Sequence, residues 1–262
     1  MRRALPLALL ATGIAFGPAA VAADKFGPEF SAEAVQFNPK TNQSMVAKMF
    51  AGKDGMRRIE YTQDNRTAVQ IAIPTQGTVY MLFPEQQSYM ERQGPPMGTE
   101  DDDKPCANMA NVTCKSLGTE TIDGRAAEKW EFVSSFQGQT ARTLQWVDQQ
   151  RKFPLRQEMS NGQVMEMHLL GEEKLQGRST EKWEMVSKSG QGEPVRSLQW
   201  YDPELRTAIR EEQPGGFVQE LRNIQVGAQA ATLFQVPQGF RKVEPQAPQG
   251  GAPGGMQGQP RQ

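Results

Sequence analysis

The chain has 262 residues, and 29 Lys and Arg stand against 30 Asp and Glu for a formal net charge of −1, without the basic surplus that nucleic-acid binding requires. One histidine and two cysteines argue against a multi-ligand zinc centre or a histidine-based triad, each of which needs several such side chains converging. Gly 25 and Pro 18 stay below the ~25% share that marks a disordered chain, so one globular body with loose ends is expected.

Arg2 and Arg3 precede the apolar run ALPLALLATGIAF, and Ala20, Val21 and Ala22 offer an A-x-A cleavage site. Residues 1–22 therefore read as a secretory signal peptide. A membrane anchor is the other reading, but Pro6, Gly13, Gly17 and Pro18 interrupt the run and no comparable apolar stretch follows. The expected product is exported to the periplasm or beyond the cell and is not an integral membrane protein after cleavage.

From residue 23 to 243 a single β domain is expected. Its first part, 30–105, is a meander: MVAKMFAG and GMRRIEYT flank Lys53-Asp54-Gly55, TAVQIAIP aligns Val69, Ile71 and Ile73, and TVYMLFP aligns Val79, Met81 and Phe83. Such alternation is the period-two signature of half-buried strands. SYMER closes a hairpin through Pro84-Glu85-Gln86-Gln87. Cys106 and Cys114 lie in PCANMANVTC; in an oxidising compartment a small-loop disulfide is the favoured reading over a redox role, because C-x-x-C spacing is absent.

The chain then repeats itself. LGTETIDGRAAEKWEFVSS, TLQWVD and FPLRQEMSNGQVMEM return as LGEEKLQGRSTEKWEMVSK, SLQWYD and TAIREEQPGGFVQEL. The first copy spans 115–169, the second 170–224, and 225–243 closes the domain. Trp130 answers to Trp183, Trp146 to Trp200, Asp148 to Asp202, Arg156 to Arg210 and Glu158 to Glu212. EKWEFV puts Trp130 and Phe132 on one side, and QVMEMHL does the same for Met165 and Met167. Asn161-Gly162 is a two-residue hairpin signal that asks for positive φ at both positions. About fourteen strands are expected, with no long amphipathic helix and short helical turns near Ala228 to Phe234. Residues 244–262, rich in Pro, Gly and Gln, read as a disordered tail.

An antiparallel sheet with one apolar face must cover it, close into a barrel, or leave it concave for a ligand. Met 13 is high, and Met49, Met81, Met90, Met159, Met165, Met167 and Met185 fall in strand segments where β-branched residues are the local preference. Methionine adapts to irregular apolar partners, and an acyl chain of ~16 carbons leaving water is worth roughly 10 kcal/mol gross. A self-filled core is the competing explanation of the same side chains.

The runs GKDGMRRIEY, TVYMLFPEQQSYME, GRAAEKWEF with LQWVD and FPLRQE, and LFQVPQGFRKV resemble exported proteins of the LolA/LolB-like lipoprotein-carrier superfamily. The resemblance is closer to a periplasmic branch with a duplicated C-terminal strand unit. It covers roughly Phe30 to Val243 and implies a strongly curved antiparallel sheet, an incomplete barrel with few short helices, whose concave apolar side holds acyl chains. PEFSAEAVQF is shorter than the helix such carriers have near the mature N-terminus, and Gly94 to Lys104 reads as loop where they carry a lid.

The resulting expectation is a noncatalytic binding protein for a lipid or lipoprotein acyl chain, with no cofactor and no metal. Its candidate apolar face comprises Met49, Ile71, Met81, Phe83, Trp130, Phe132, Trp146, Met165, Met167, Trp183, Met185 and Trp200. The alternative is an envelope protein-interaction or stress-sensing module with a self-filled core and an envelope protein partner. Other candidates have simpler explanations. The acidic run Glu100 to Asp103 lacks calcium-loop spacing. His168 answers to Arg222 and reads as an exposed strand residue. Asp148 and Asp202 precede turns whose N–H groups they can bind, and Arg156/Glu158 with Arg210/Glu212 have the spacing of ion pairs on a solvated face.

Overall fold

A computed structural model describes residues 26–96, 104–106, 109, 111–136, 138–190 and 192–244. The leader segment 1–22, the tail from 245 and most of GPPMGTEDDDK lie outside the described residues. The first meander consists of β1 (Phe30–Asn38), β2 (Gln43–Ala51), β3 (Arg57–Gln63), β4 (Arg66–Ile73), β5 (Thr78–Phe83) and β6 (Ser88–Gln93). The second runs β7 (Val112–Ile122), β8 (Arg125–Phe136), β9 (Gln139–Asp148), β10 (Pro154–Met159), β11 (Val164–Leu175), β12 (Arg178–Lys188), β13 (Val195–Asp202), β14 (Thr207–Gln213) and β15 (Phe217–Val226). A two-residue β16 (Arg241–Lys242) follows the 3-10 turn Ala231–Phe234.

All sixteen strands form one sheet in the order β16-β6-β5-β4-β3-β2-β1-β15-β14-β13-β12-β11-β10-β9-β8-β7. The two meanders are thus joined edge to edge by the antiparallel pair β1 and β15, and the sheet ends at β7 and β16 without closing into a barrel. This is the mainly β, incomplete-barrel architecture expected of the sequence. PEFSAEAVQF supplies β1, the joining strand, rather than a shortened helix. Turn chemistry follows the sequence with one correction. Only Gly162 of the Asn161-Gly162 pair has positive φ, and Met159 N donates to Gln163 O at 2.9 Å. The turn therefore holds three residues, 160–162, with glycine in the left-handed position such turns need.

Bulges bend the sheet at repeated places. β7 shifts register between Ser116 and Gly118, and β11 between Leu169 and Gly171. Leu155 and Ile209, equivalent in the two copies, are the extra residues where β10 and β14 slip against β9 and β13. A bulge increases local twist and bending, and the hairpin tips curl accordingly. Asp123, in the β7–β8 turn, meets His168 of β11. Gln176, its counterpart in the β11–β12 turn, donates to Glu220 Oε1 and Leu221 O of β15 at 2.7 and 2.8 Å.

These curled tips close two apolar clusters with equivalent members. One takes Leu155, Met167 and Trp183 with Ile122 packed against them; the other takes Ile209, Leu221, Phe30, Met49 and Ile59 with Leu175. Leu205 seals the second cluster and sits so close to Gly27 that a Cβ there would lie 2.0 Å from the Leu205 carbonyl oxygen. A third cluster, Val69, Ile71, Leu82 and Phe234, lies under the closing segment, which is held by Arg58 Nη1 donating to Leu233 O at 2.9 Å. Cys106 and Cys114 are disulfide-bonded with Cα atoms 5.9 Å apart.

Candidate functional site

Directly paired residues of an antiparallel sheet share a face, so the register assigns every candidate side chain. Met49, Met81, Phe83, Trp130, Phe132, Met165, Met167, Trp183 and Met185 stand on one face. Ile71, Trp146 and Trp200 stand on the other: Ile71 pairs with Arg58 and Tyr80, Trp146 with Lys129, and Trp200 with Lys182. The single-face expectation is therefore corrected for these three. For the tryptophans the reason is the one-residue offset between LQW and EKW across their shared ladder, and for Ile71 it is that Gln70, not Ile71, lies opposite Met81; the pleat converts each offset into opposite directions. Trp146 still reaches the cluster of Leu155 and Trp183, at the bulged end of the sheet.

On the Trp146 face the two copies build the same polar cage. Trp146 Nε1 donates to Glu120 Oε2 at 2.6 Å, Lys129 Nζ lies 4.6 Å above its ring centroid, and Arg156 lies 5.5 Å away. Trp200 repeats this with Glu173, Lys182 at 4.7 Å and Arg210 at 5.5 Å. Arg156 also bridges Glu158 and Glu166 at 2.5 and 2.7 Å, and Arg210 bridges Glu212 and Glu220 at 2.5 and 3.0 Å. With both indoles buried and both N–H groups satisfied, this arrangement is a structural peg made from cation–π contacts.

Asp148 and Asp202 act as anticipated. Asp148 Oδ1 accepts Gln150 N and Arg151 N at 2.7 and 2.6 Å, and Asp202 Oδ1 accepts Glu204 N and Leu205 N at 2.9 and 3.0 Å. Their second oxygens meet Arg125 and Arg178. Burial pushes the Asp148 carboxyl up, but hydrogen bonds from Arg125 and the Arg151 N–H outweigh it and hold the group below its ordinary range. His168 Nδ1 lies 2.6 Å from Asp123 Oδ2 at a partly exposed position. No group of three or more His, Cys, Asp or Glu among the described residues could hold a metal ion.

The Met49 face carries the apolar candidates in two groups. Met81 and Met90 are directly opposed, with Phe83 one pleat away; Met167 and Met185 are likewise opposed, with Met165 beside them. Met81, Met90, Met165, Met185, Phe83 and Phe132 are half-buried, whereas Met49 and Trp183 are sealed in the core.

Between these groups runs a row that sequence reasoning missed. Leu169, Trp183, Gln199, Glu211, Gln219, Gln36 and Met45 pair in succession across seven strands. Its ends, Leu169 and Met45, are 39% and 37% exposed, while Gln36 and Gln219 are only 7% and 8% exposed. Gln219 Oε1 is a buried acceptor without a hydrogen-bond partner, a condition that costs about 1–3 kcal/mol. Burial raises the Glu211 carboxyl above its ordinary range. The same face holds Arg57, whose guanidinium burial pushes down. The signal was present in the repeat alignment, where Glu211 and Gln219 replace Gln157 and Met165 of the first copy.

No family model and no curated protein matches the chain. Solved structures that it resembles include a DUF1329 family protein from Desulfovibrio piger ATCC 29098, with 14% identity over 80% of this chain and 90% of that one and a TM-score of 0.36. A LolA superfamily protein from Nitrosomonas europaea is similar at 10% identity over 81% and 91%, TM-score 0.37. An outer membrane lipoprotein-sorting protein domain from Vibrio parahaemolyticus is similar at 10% identity over 79% and 89%, TM-score 0.35. Among the described residues no helix is long and apolar enough to cross a membrane.

Proposed function

We propose that this protein is a noncatalytic, exported binding protein for a hydrophobic ligand of the lipid or acyl-chain class, seated on the Met49 face. The observation that carries the reading is the pair of half-buried methionine and phenylalanine groups on one side of an open sheet. Flexible, polarizable thioethers at partly exposed positions suit an apolar guest of variable shape better than they suit a sealed core. The disulfide supports an oxidising compartment, as does the leader-like N-terminus.

Uptake of a fluorescent long-chain fatty acid by the full chain tests this. Met81→Glu and Met165→Glu should each weaken uptake at least tenfold, whereas Val46→Glu on the opposite, exposed side should leave it unchanged. No uptake by the wild-type protein, together with no lipid retained in native mass spectrometry, would refute the proposal. A second reading is favoured by β7, an 11-residue edge strand exposed over most of its length, which can accept a partner's strand. Recovery of one stable protein partner and no lipid from the envelope would support it over the first.

A further inference from the structure

The central four members of the polar row, Gln199, Glu211, Gln219 and Gln36, occupy adjacent strands. At the usual ~4.8 Å spacing of strands they extend over roughly 14 Å. Gln219 Oε1 is buried without a hydrogen-bond partner, although buried carboxamides are normally satisfied, and the half-buried Gln199 and Glu211 and the buried Gln36 lie in line with it. The fold does not require a carboxyl at 211 or an amide at 219. In the first copy the same register positions read Trp130, Gln145, Gln157 and Met165, where the second reads Trp183, Gln199, Glu211 and Gln219. The duplication thus provides an internal control: one copy keeps a methionine and a neutral amide where the other has acquired an unpartnered amide and a carboxyl.

No Lys or Arg stands two positions to either side of any of the four, so an anionic head group would meet Glu211 with no countercharge. A primary ammonium has three N–H donors and no acceptor. One carboxylate flanked by carboxamide oxygens matches it, while the exposed apolar ends at Met45 and Leu169 offer a path for an attached chain. We propose that the row Gln199–Glu211–Gln219–Gln36 binds the primary ammonium head of an amphipathic molecule whose chain continues over the apolar flank of the same face. The inference rests on the Met49 face being a ligand surface and adds the polarity of the ligand's head.

The test is calorimetric titration of the full chain at pH 7.5 with dodecylammonium and with dodecanoate, both below micelle formation. Dodecylammonium should bind at least tenfold more tightly, and Glu211→Gln with Gln219→Met, which restores the first copy's pair, should erase that preference. Lysophosphatidylethanolamine against lysophosphatidylcholine separates the sources. A preference for the ethanolamine head assigns the site to a phospholipid, and a preference seen only between the dodecyl ligands assigns it to a simple amine. Equal or tighter binding of dodecanoate, or a preference that survives both substitutions, would overturn the inference and leave the hydrophobic-ligand reading standing. Failure of every chain to bind would overturn both. The wild-type comparison decides the matter even if the double variant does not fold.

Discussion

Glu211 and Asp148 are carboxyls in one sheet with opposite electrostatic situations. Asp148 is held below its ordinary range, so the stability it contributes is present above the unfolded value near 3.9 and lost as pH falls through the folded one. Replacing it with Ala should cost about 3 kcal/mol at pH 7, because Arg125 and two backbone N–H groups lose their acceptor; urea denaturation measures this, and the deficit should shrink on acidification below pH 4. Glu211 is held above its ordinary range, so its sign reverses. Its contribution is complete below the unfolded value, near 4.3, and declines as pH rises through the folded one. Glu211→Gln should therefore raise the melting temperature at pH 7.5 and leave it unchanged near pH 4. A substitution that stabilises while it removes a ligand preference is the pattern of a residue kept for function.

At the scale of strands and turns, the bulge residues are the sensitive points. Leu155 and Ile209 are both buried and each supplies the core beneath a curled hairpin, so truncation to Ala should cost about 2–5 kcal/mol. The equivalent positions should give similar losses in chemical denaturation, and a loss confined to one copy would show that the two clusters are not equivalent. Period-two alternation made most strands legible in the sequence, as in EKWEFV and TAVQIAIP, because each has one apolar side. Which side faced which was not legible. LQWVD shows that Leu144 and Trp146 agree with each other, but only the pairing of Trp146 with Lys129 reveals that they oppose Trp130. β1 escaped for a related reason: Ala32, Ala34, Val35 and Gln36 are all buried, which blurs the alternation. The polar row was hidden because Glu211 and Glu212 look alike in sequence yet face opposite sides.

For the molecule as a whole, the closing segment and the disulfide make unequal contributions. Phe234 is buried against Val69, Ile71 and Leu82, and Phe234→Ala should cost about 3–5 kcal/mol. The Cys106–Cys114 bridge spans a separation of only 8, and short loops remove less unfolded-state entropy, so replacing both cysteines by serine should leave a folded protein with the smaller loss; thermal melts of the two variants rank them. The junction of β1 with β15 has a temporal meaning as well. It ties together chain segments as far apart as Glu33 and Asn223, 190 positions, and pairings this distant form slowly. During synthesis β1 emerges long before β15, leaving an open hydrogen-bonding flank on the early half while the late half is still arriving. Such a flank recruits stray strands, so the early half is most open to mispairing just before β15 arrives.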